Sequence, residues 1–348
     1  MTAKSFPVSD APAVPRRVAP SLQFAIRLLA LCIALGLLMS ASGVNIGALG
    51  QGLALALVGM GVYISFRVLN FPDLSVDGAF PFGGAVAAAL IVNAGVAAEW
   101  TLPAALIAGA LLGLCTALIH VLLKIDGLLA SIIVMTGAYT VVLRVMTTSN
   151  IPLINERTIL TPLQPIVREW VIATFGDGYR RQANNLVEII VFSLVVTILL
   201  VVVRWFLRTE IGLTLRAAGK NPQMVRAVGV DHRAMIVIGL MLSNGLSALA
   251  GALTVQQLGF ADVQMGVGII VRGLAAVVIG ETLLRPRTVG QGILSAVIGM
   301  IVFEVLRAWV FAALRLEAAD IRLVSALVVL IALAAPTFWE RWRGRRRS

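Results

Sequence analysis

The sequence predicts an all-α fold: a polytopic membrane bundle of about ten transmembrane helices with both termini cytoplasmic. Three observations carry this. Hydrophobic residues fill 59% of the 348 positions and charged residues only 13%, about half the charged share of a soluble domain. Apolar stretches of roughly 20 residues, each long enough to cross hydrocarbon as a helix, recur along almost the whole chain, giving a mean hydropathy of +0.96. With the N-terminus inside and spans alternating, 19 of the 28 Lys and Arg residues fall on the cytoplasmic side, as the positive-inside rule requires.

Residues 1–21, polar and Pro-rich, read as a disordered cytoplasmic arm. One transmembrane domain, 22–338, follows, with spans near 24–42, 46–66, 79–98, 102–123, 127–146, 186–203, 235–257, 266–284, 288–310 and 322–338. The apolar run Leu28–Met39 lacks an A-x-A site and reads as a retained first span. Between the fifth and sixth spans, 147–185 is an external polar stretch with Pro152, Pro162 and Pro165, in which Arg168-Glu169-Trp170 lies along the membrane surface. Residues 204–233 are basic and cytoplasmic, and 339–348 form a basic tail. The net charge of +11 is therefore a consequence of topology. With no basic run interleaved with aromatics, no nucleic-acid partner is expected; the lipid membrane is the solvent. Cys32 and Cys115 sit in mid-span, far from any CxxC or His partner, and read as packing residues.

Small residues are dense inside the spans, as at Gly47, Gly50 and Gly52, or Gly109 and Gly113; this spacing lets helices approach closely in lipid. Leu69-Asn-Phe-Pro-Asp73 ends the second span and Leu258-Gly-Phe-Ala-Asp262 the seventh, with Gly84 and Gly273 at equivalent offsets. Five spans separate them, so spans 2–5 and 7–10 are expected to form an inverted repeat, an arrangement that places transporter sites near the midplane.

Polar chemistry gathers in two places. In Asn70-Phe-Pro-Asp-Leu-Ser-Val-Asp-Gly78, two carboxylates, an amide and a hydroxyl abut an apolar helix, and Pro72 and Gly78 are expected to break regular structure. Irregular backbone at membrane depth is tolerated only inside protein or along a cavity. Asn70, Asp73, Ser75 and Asp77, with Asn244 and Gln256 from the seventh span, are the candidates to line a polar path. Asp77 precedes a helix opened by Ala79 and has a capping role as its alternative; Asp73 is the stronger path candidate. Ser243, Asn244, Gln256 and Gln257 either line that path or bond between helices. Glu304 and Arg307, three apart in the ninth span, form an internal ion pair. His120 and His232 read as interfacial.

The second place is Arg216–Asp231. Asn221 is a favoured N-cap, Pro222 suits the first helical position and Gly229 a C-terminal stop. The helix between them, about seven residues, is too short to hold itself in water. Met224 and Val228 share a face, with Val225 beside them and Lys220 and Arg226 flanking, which suits docking into another protein; an ordinary surface helix packing on its own bundle is the alternative. No GxxxxGK[ST] loop, GxSxG elbow, HExxH or metal-ligand cluster occurs in the sequence. No catalytic residue, metal or cofactor is expected, and any ATPase must be another chain.

At these residues the chain resembles the permeases of ATP-binding-cassette importers for branched-chain amino acids and simple sugars. Asp-Leu-Ser-Val-x-Gly at 73–78 is similar to that family's signature region. Gly-Lys-Asn-Pro at 219–222 with Arg-Ala-Val-Gly-Val-Asp at 226–231 is similar to its ATPase-coupling segment. Asn70 to Ala85 resembles more narrowly the tryptophan/tyrosine-type transport permeases, and the resemblance spans approximately 45–335. It implies a multi-pass inner-membrane permease, paired as a homodimer, with two cytoplasmic ATPase subunits and an extracytoplasmic substrate-binding protein. Gly219, Lys220, Asn221, Pro222, Met224, Val225, Arg226, Val228, Gly229 and Asp231 would then be the ATPase-coupling residues, with Lys220 to Asp231 entering an ATPase cleft. The longer arm and the extended 147–185 stretch depart from the family pattern. Aromatic amino acid, branched-chain amino acid and sugar all remain open as cargo. An ion-coupled secondary transporter, with Asp73, Asp77 and Glu304 as coupling groups, is the rival class, and a membrane scaffold without transport a third.

Overall fold

Where lipid surrounds the backbone, every peptide group must find its partner within the chain, so helices dominate. The computed structural model describes residues 20–42, 46–176 and 179–314 and, after these, only 326, 327, 329 and 330. In chain order come α1 (Pro20–Ser42), α2 (Gly47–Val62) continued by a π-helical turn (Tyr63–Val68), α3 (Val76–Val92), α4 (Ala98–Leu123) and α5 (Gly127–Met146). Strand β1 (Asn150–Pro152), α6 (Gln164–Phe175), α7 (Arg180–Phe206), α8 (Glu210–Lys220), α9 (Pro222–Ala227) and α10 (His232–Leu258) follow. Strand β2 (Phe260–Asp262), a 3-10 turn (Val263–Gly266), α11 (Ile269–Leu284) and α12 (Val289–Leu314) complete the order.

Among the described residues, seven segments are long and apolar enough to cross a membrane: Gly47–Val68, Ala98–Leu123, Gly127–Met146, Gln182–Phe206, His232–Leu258, Val263–Leu284 and Val289–Leu314. Two apolar helices, Gln23–Leu37 and Val76–Val92, are shorter. The expected tenth span (322–338), apart from four residues, the tail, and all but the end of the expected arm lie outside the described residues.

Several boundaries differ from expectation. The third span begins at Val76 and stops at Val92, because Gly95 (φ 61°) turns the chain before α4 opens at Ala98. Gly78 is helical rather than a break. The 147–185 stretch is no continuous loop: it holds β1 and α6, and α7 starts at Arg180. Its Ile151 pairs antiparallel with Ala261 of β2, a small exception to an all-α chain. Cys32 and Cys115 are exposed on the chain's surface rather than packed within it.

The helices α2 and α10 are the centre; in each, 78% of the most apolar window is buried inside the chain. A helix apolar on all sides belongs in a core, and α2 is one. The close approaches are made at glycines. A Cβ on Gly109 or Gly113 of α4 would overlap the backbone of α10 at Asn244 or Leu240, and one on Gly83 of α3 would overlap Ala248. Likewise Gly280 of α11 lies against Ser295 of α12, and Gly299 of α12 against Ala276 of α11. The two copies of Leu-x-Phe-x-Asp end their helices alike. Each continues with a left-handed residue, Asn70 (φ 57°) or Gly259 (φ 77°). Each then closes a side-chain turn, Asp73 accepting from Ser75 N at 3.0 Å and Asp262 from Gln264 N at 2.7 Å. Packing echoes this: α10 rests on α3 and α4, and α2 on α11 and α12.

Because Gly109 and Gly113 face backbone, Gly109→Leu or Gly113→Leu should overpack the centre and destabilise the fold by about 1–3 kcal/mol or more. Gly137→Leu, with open space around the site, should be neutral. Thermal unfolding in detergent checks this; equal midpoints for all three variants would contradict the packing.

Candidate functional site

The chain between the π-helical turn and α3 is irregular at Leu69–Ser75, and its polar groups are nevertheless satisfied. Asp73 is fully buried. Its Oδ1 accepts from the Ser75 amide at 3.0 Å and from Ser75 Oγ, and its Oδ2 accepts from Asn244 Nδ2 at 2.8 Å. Ser75 Oγ also lies 3.1 Å from Asn244 Oδ1. Three of the expected path residues, Asp73, Ser75 and Asn244, thus form one closed knot that ties the irregular segment to α10. Asn70 lies outside it, exposed. Gln256 is elsewhere, donating to Thr101 Oγ1 at 3.2 Å and accepting from Ile159 N at 2.9 Å. With Ser243 donating to the Gly61 carbonyl (2.9 Å) and Gln257 to Glu188 (2.7 Å), the polar residues of α10 bond between elements.

Asp77 does not cap its own helix, as the sequence alternative had it. It lies in the first turn of α3 and caps α11, Oδ2 accepting from Gly268 N at 3.1 Å and Oδ1 from Ile270 N at 2.7 Å. Beside it opens a cavity of about 310 Å³ walled by α3 (Asp77, Gly78, Pro81), α5 (Met135, Thr136, Tyr139) and the turn at Val263–Val267. Asp77, not the closed-in Asp73, is the carboxylate on that cavity. Sequence reasoning missed the α5 wall; its signal was Thr136 and Tyr139 at helical spacing in a largely apolar span.

Glu304 and Arg307 pair as expected, Arg307 Nε donating at 2.7 Å, but in a larger set. Arg307 also donates to Gln51 at 2.8 Å, and Arg272 of α11 stands 3.9 Å from the other Glu304 oxygen. The cluster joins α2, α11 and α12. His120 Nδ1 donates to the Ile125 carbonyl (2.7 Å), and its ring meets the Phe71 ring edge-on.

The 216–231 segment folds as two short helices. Asn221 Oδ1 accepts from Met224 N at 3.0 Å, capping α9, with Pro222 at its first position and Gly229 left-handed (φ 81°) after it. The helix is one turn and a half, so Val228 is its C-cap rather than part of a longer face. Val225 turns inward, 2% exposed, while Met224 (50%) and Val228 (69%) face out. Lys220 and Arg226 are exposed. Asp231 caps α10, accepting from Arg233 N at 2.8 Å. At the end of α8, Gly219 abuts the π-helical turn: a Cβ there would overlap the Val68 carbonyl and crowd Leu69. Leu69 in turn packs over Gly239 of α10, and the Phe71 ring over Gly127 of α5. An unbroken line of contacts runs from α8–α9 through Val68, Leu69 and Phe71 to the Asp73 knot.

Residues 44–334 match the family described as branched-chain amino acid transport system / permease component. The chain belongs to that family of transport permeases. It is accordingly a multi-pass inner-membrane protein, a transport subunit and not an enzyme. A tyrosine transport system permease protein of Clostridioides difficile (strain R20291) is 32% identical over 289 residues, covering 83% of this chain and 90% of that one. An uncharacterized protein of Rickettsia prowazekii (strain Madrid E) is 30% identical over 294 residues, covering 83% and 96%. The autoinducer 2 import system permease protein LsrC of Escherichia coli (strain K12 / DH10B) is 26% identical over 287 residues, covering 82% and 71%. No solved structure matches the chain significantly.

If the knot is one unit, its members must be energetically coupled. Asp73→Ala and Asn244→Ala should each cost about 1–3 kcal/mol, and the double variant less than their sum by about 0.5–3 kcal/mol. Denaturant unfolding in micelles measures this; strict additivity would dissolve the unit.

Proposed function

We propose that this chain is the membrane half of an ATP-driven importer, carrying a small solute, an amino acid and in the first instance an aromatic one, inward across the inner membrane. The observation that carries the reading is the seat of Gly219 on the Val68 carbonyl. It makes a surface-exposed, capped docking helix continuous with the irregular segment at the bundle's heart. Separate ATPase subunits grip Met224 and Val228 on the cytoplasmic side, an extracytoplasmic binding protein delivers the solute, and a second copy of the chain completes the passage. Both termini are cytoplasmic, and the α2–α5 and α10-onward halves are oppositely oriented repeats, which the matching helix ends at Asn70 and Gly259 support.

The cargo reading rests on two supports. One relative is named for tyrosine transport, and the cavity beside Asp77 offers Met135, Pro81, Tyr139, Val263 and Val267 to an apolar side chain. Among the proposed path residues, Asp77 and its α5 neighbours meet the solute, while Asp73, Ser75 and Asn244 hold the irregular segment in register. Asn70 and Gln256 support the same framework. The ion-coupled alternative is disfavoured because its carboxylates are engaged: Asp73 by Ser75 and Asn244, Asp77 by two backbone amides, Glu304 by arginine.

Met224→Asp with Val228→Asp should abolish co-purification of a co-expressed ATPase subunit while leaving membrane insertion intact. Retained co-purification would refute the docking role. In proteoliposomes, Gly219→Leu should leave the ATPase bound but lower ATP-dependent uptake by about tenfold or more, the loss a misplacement of an ångström can cause; normal uptake would break the mechanical link.

A further inference from the structure

A second cavity, of about 220 Å³, opens where the π-helical turn, α8 and the α11–α12 connection meet. Arg67, Arg216, Lys220 and Arg287 line it, with Glu281 as the carboxylate among its lining residues. Glu281 is paired with Arg67. Arg216, Lys220 and Arg287 have no side-chain hydrogen bond or ion pair among the described residues. The wall also includes Tyr63, only 8% exposed, whose hydroxyl has no partner among the described residues. A Cβ on Gly292 would overlap that hydroxyl, so the glycine leaves room for the phenol in this place. The rim is preset as well: Gln291 Oε1 accepts from Arg287 N at 2.9 Å and from Thr288 N at 3.3 Å.

The positive-inside rule explains why basic residues lie on this side of the membrane. It does not explain why they converge on one pocket whose wall includes a hydroxyl with no partner among the described residues. Like charges brought together repel, and an anion seated between Arg216, Lys220 and Arg287 relieves that repulsion. We propose that this pocket binds a phosphate group. Arginine presents a fixed fork of donors that matches phosphate oxygens, and lysine adds a point charge. Tyr63 supplies a neutral donor from the floor. The volume holds roughly seven waters, enough for a phosphate with part of its ester. The group comes from an anionic lipid headgroup or from a soluble phosphate; basic pockets between helices at the cytoplasmic surface are suited to the former. Because Lys220 ends α8 and borders Gly219, occupancy would brace the seat of the docking segment. The cytoplasmic placement rests on the proposed topology, whereas the binding chemistry does not.

The test is thermal unfolding of the full chain in uncharged detergent. One arm compares sodium phosphate with sodium chloride at equal ionic strength, which removes general screening; the other adds phosphatidylglycerol or phosphatidylcholine. Binding to the folded state raises the midpoint by mass action. The expected result is a rise with phosphate, identifying a soluble ligand, or with phosphatidylglycerol alone, identifying a headgroup. Arg216→Gln with Arg287→Gln should shift the half-saturating concentration about tenfold or more, Tyr63→Phe should weaken it by less, and Arg208→Gln, outside the pocket, should not change it. Should the double variant fail to fold, Arg287→Gln alone, at an exposed position, takes its place. No rise in either arm, or equal rises in wild type and pocket variants, overturns the proposal. So does protection of the pocket by a co-expressed ATPase subunit alone, which would assign it to an acidic side chain of that partner.

Discussion

A carboxyl group buried at membrane depth is among the costliest things a chain can carry, and this protein places one, Asp73, where a helix breaks. Everything around it follows from making that tolerable. Ser75 supplies an amide and a hydroxyl, and Asn244 reaches across from α10 with its side-chain amide. The bonds do more than satisfy the carboxyl. They fix a segment without regular backbone against α10, one of the two central helices, which in turn requires α10 to lie close to α3 and α4. That closeness is why glycines stand at positions 83, 109 and 113.

The same segment is reached from the outside. Gly219 lies on its N-terminal end, and Leu69 and Phe71 each fill the space above another glycine. Such a line of contacts transmits force only if its members move together, and packed interiors are stiff enough for that. On the other flank, Asp77 holds the start of α11 through two amides, so a displacement of α3 is felt by α11 and by the Arg272–Glu304–Arg307 set beyond it. Transport in this account is a rearrangement of α3 and α5 about their cavity, driven through the irregular segment and resisted by the knot.

How much of this was legible beforehand depended on the range of each interaction. Local features read well. The Asn221 cap, Pro222 and the stop at Gly229 span a few residues and are written in residue type. The Glu304–Arg307 pair needs only helical spacing. The apolar stretches gave positions for nine spans that correspond to helices, although two of those helices, Gln23–Leu37 and Val76–Val92, fall short of full crossing length. Distant partners did not read. Asp77 looked like a cap for its own helix because nothing local reveals that its acceptors serve Gly268 and Ile270. Arg272 and Gln51 joined the ion cluster from other helices. Asp73 and Asp77 were both expected on the path, yet one is sealed against α10 by Asn244 and the other borders a cavity beside α5. The 147–185 stretch concealed α6 because its apolar residues, Ile166, Val167, Trp170, Val171 and Ile172 among them, are interrupted by Arg168 and Glu169 and make no long run.

The most direct test of the link between docking helix and bundle is hydrogen exchange in the assembled, membrane-embedded importer, compared with and without nucleotide. Amides of Val68 to Ser75 should change protection together with those of 219–227 when nucleotide binds the ATPase. A change confined to 219–227, with 68–75 unaltered, would contradict the account.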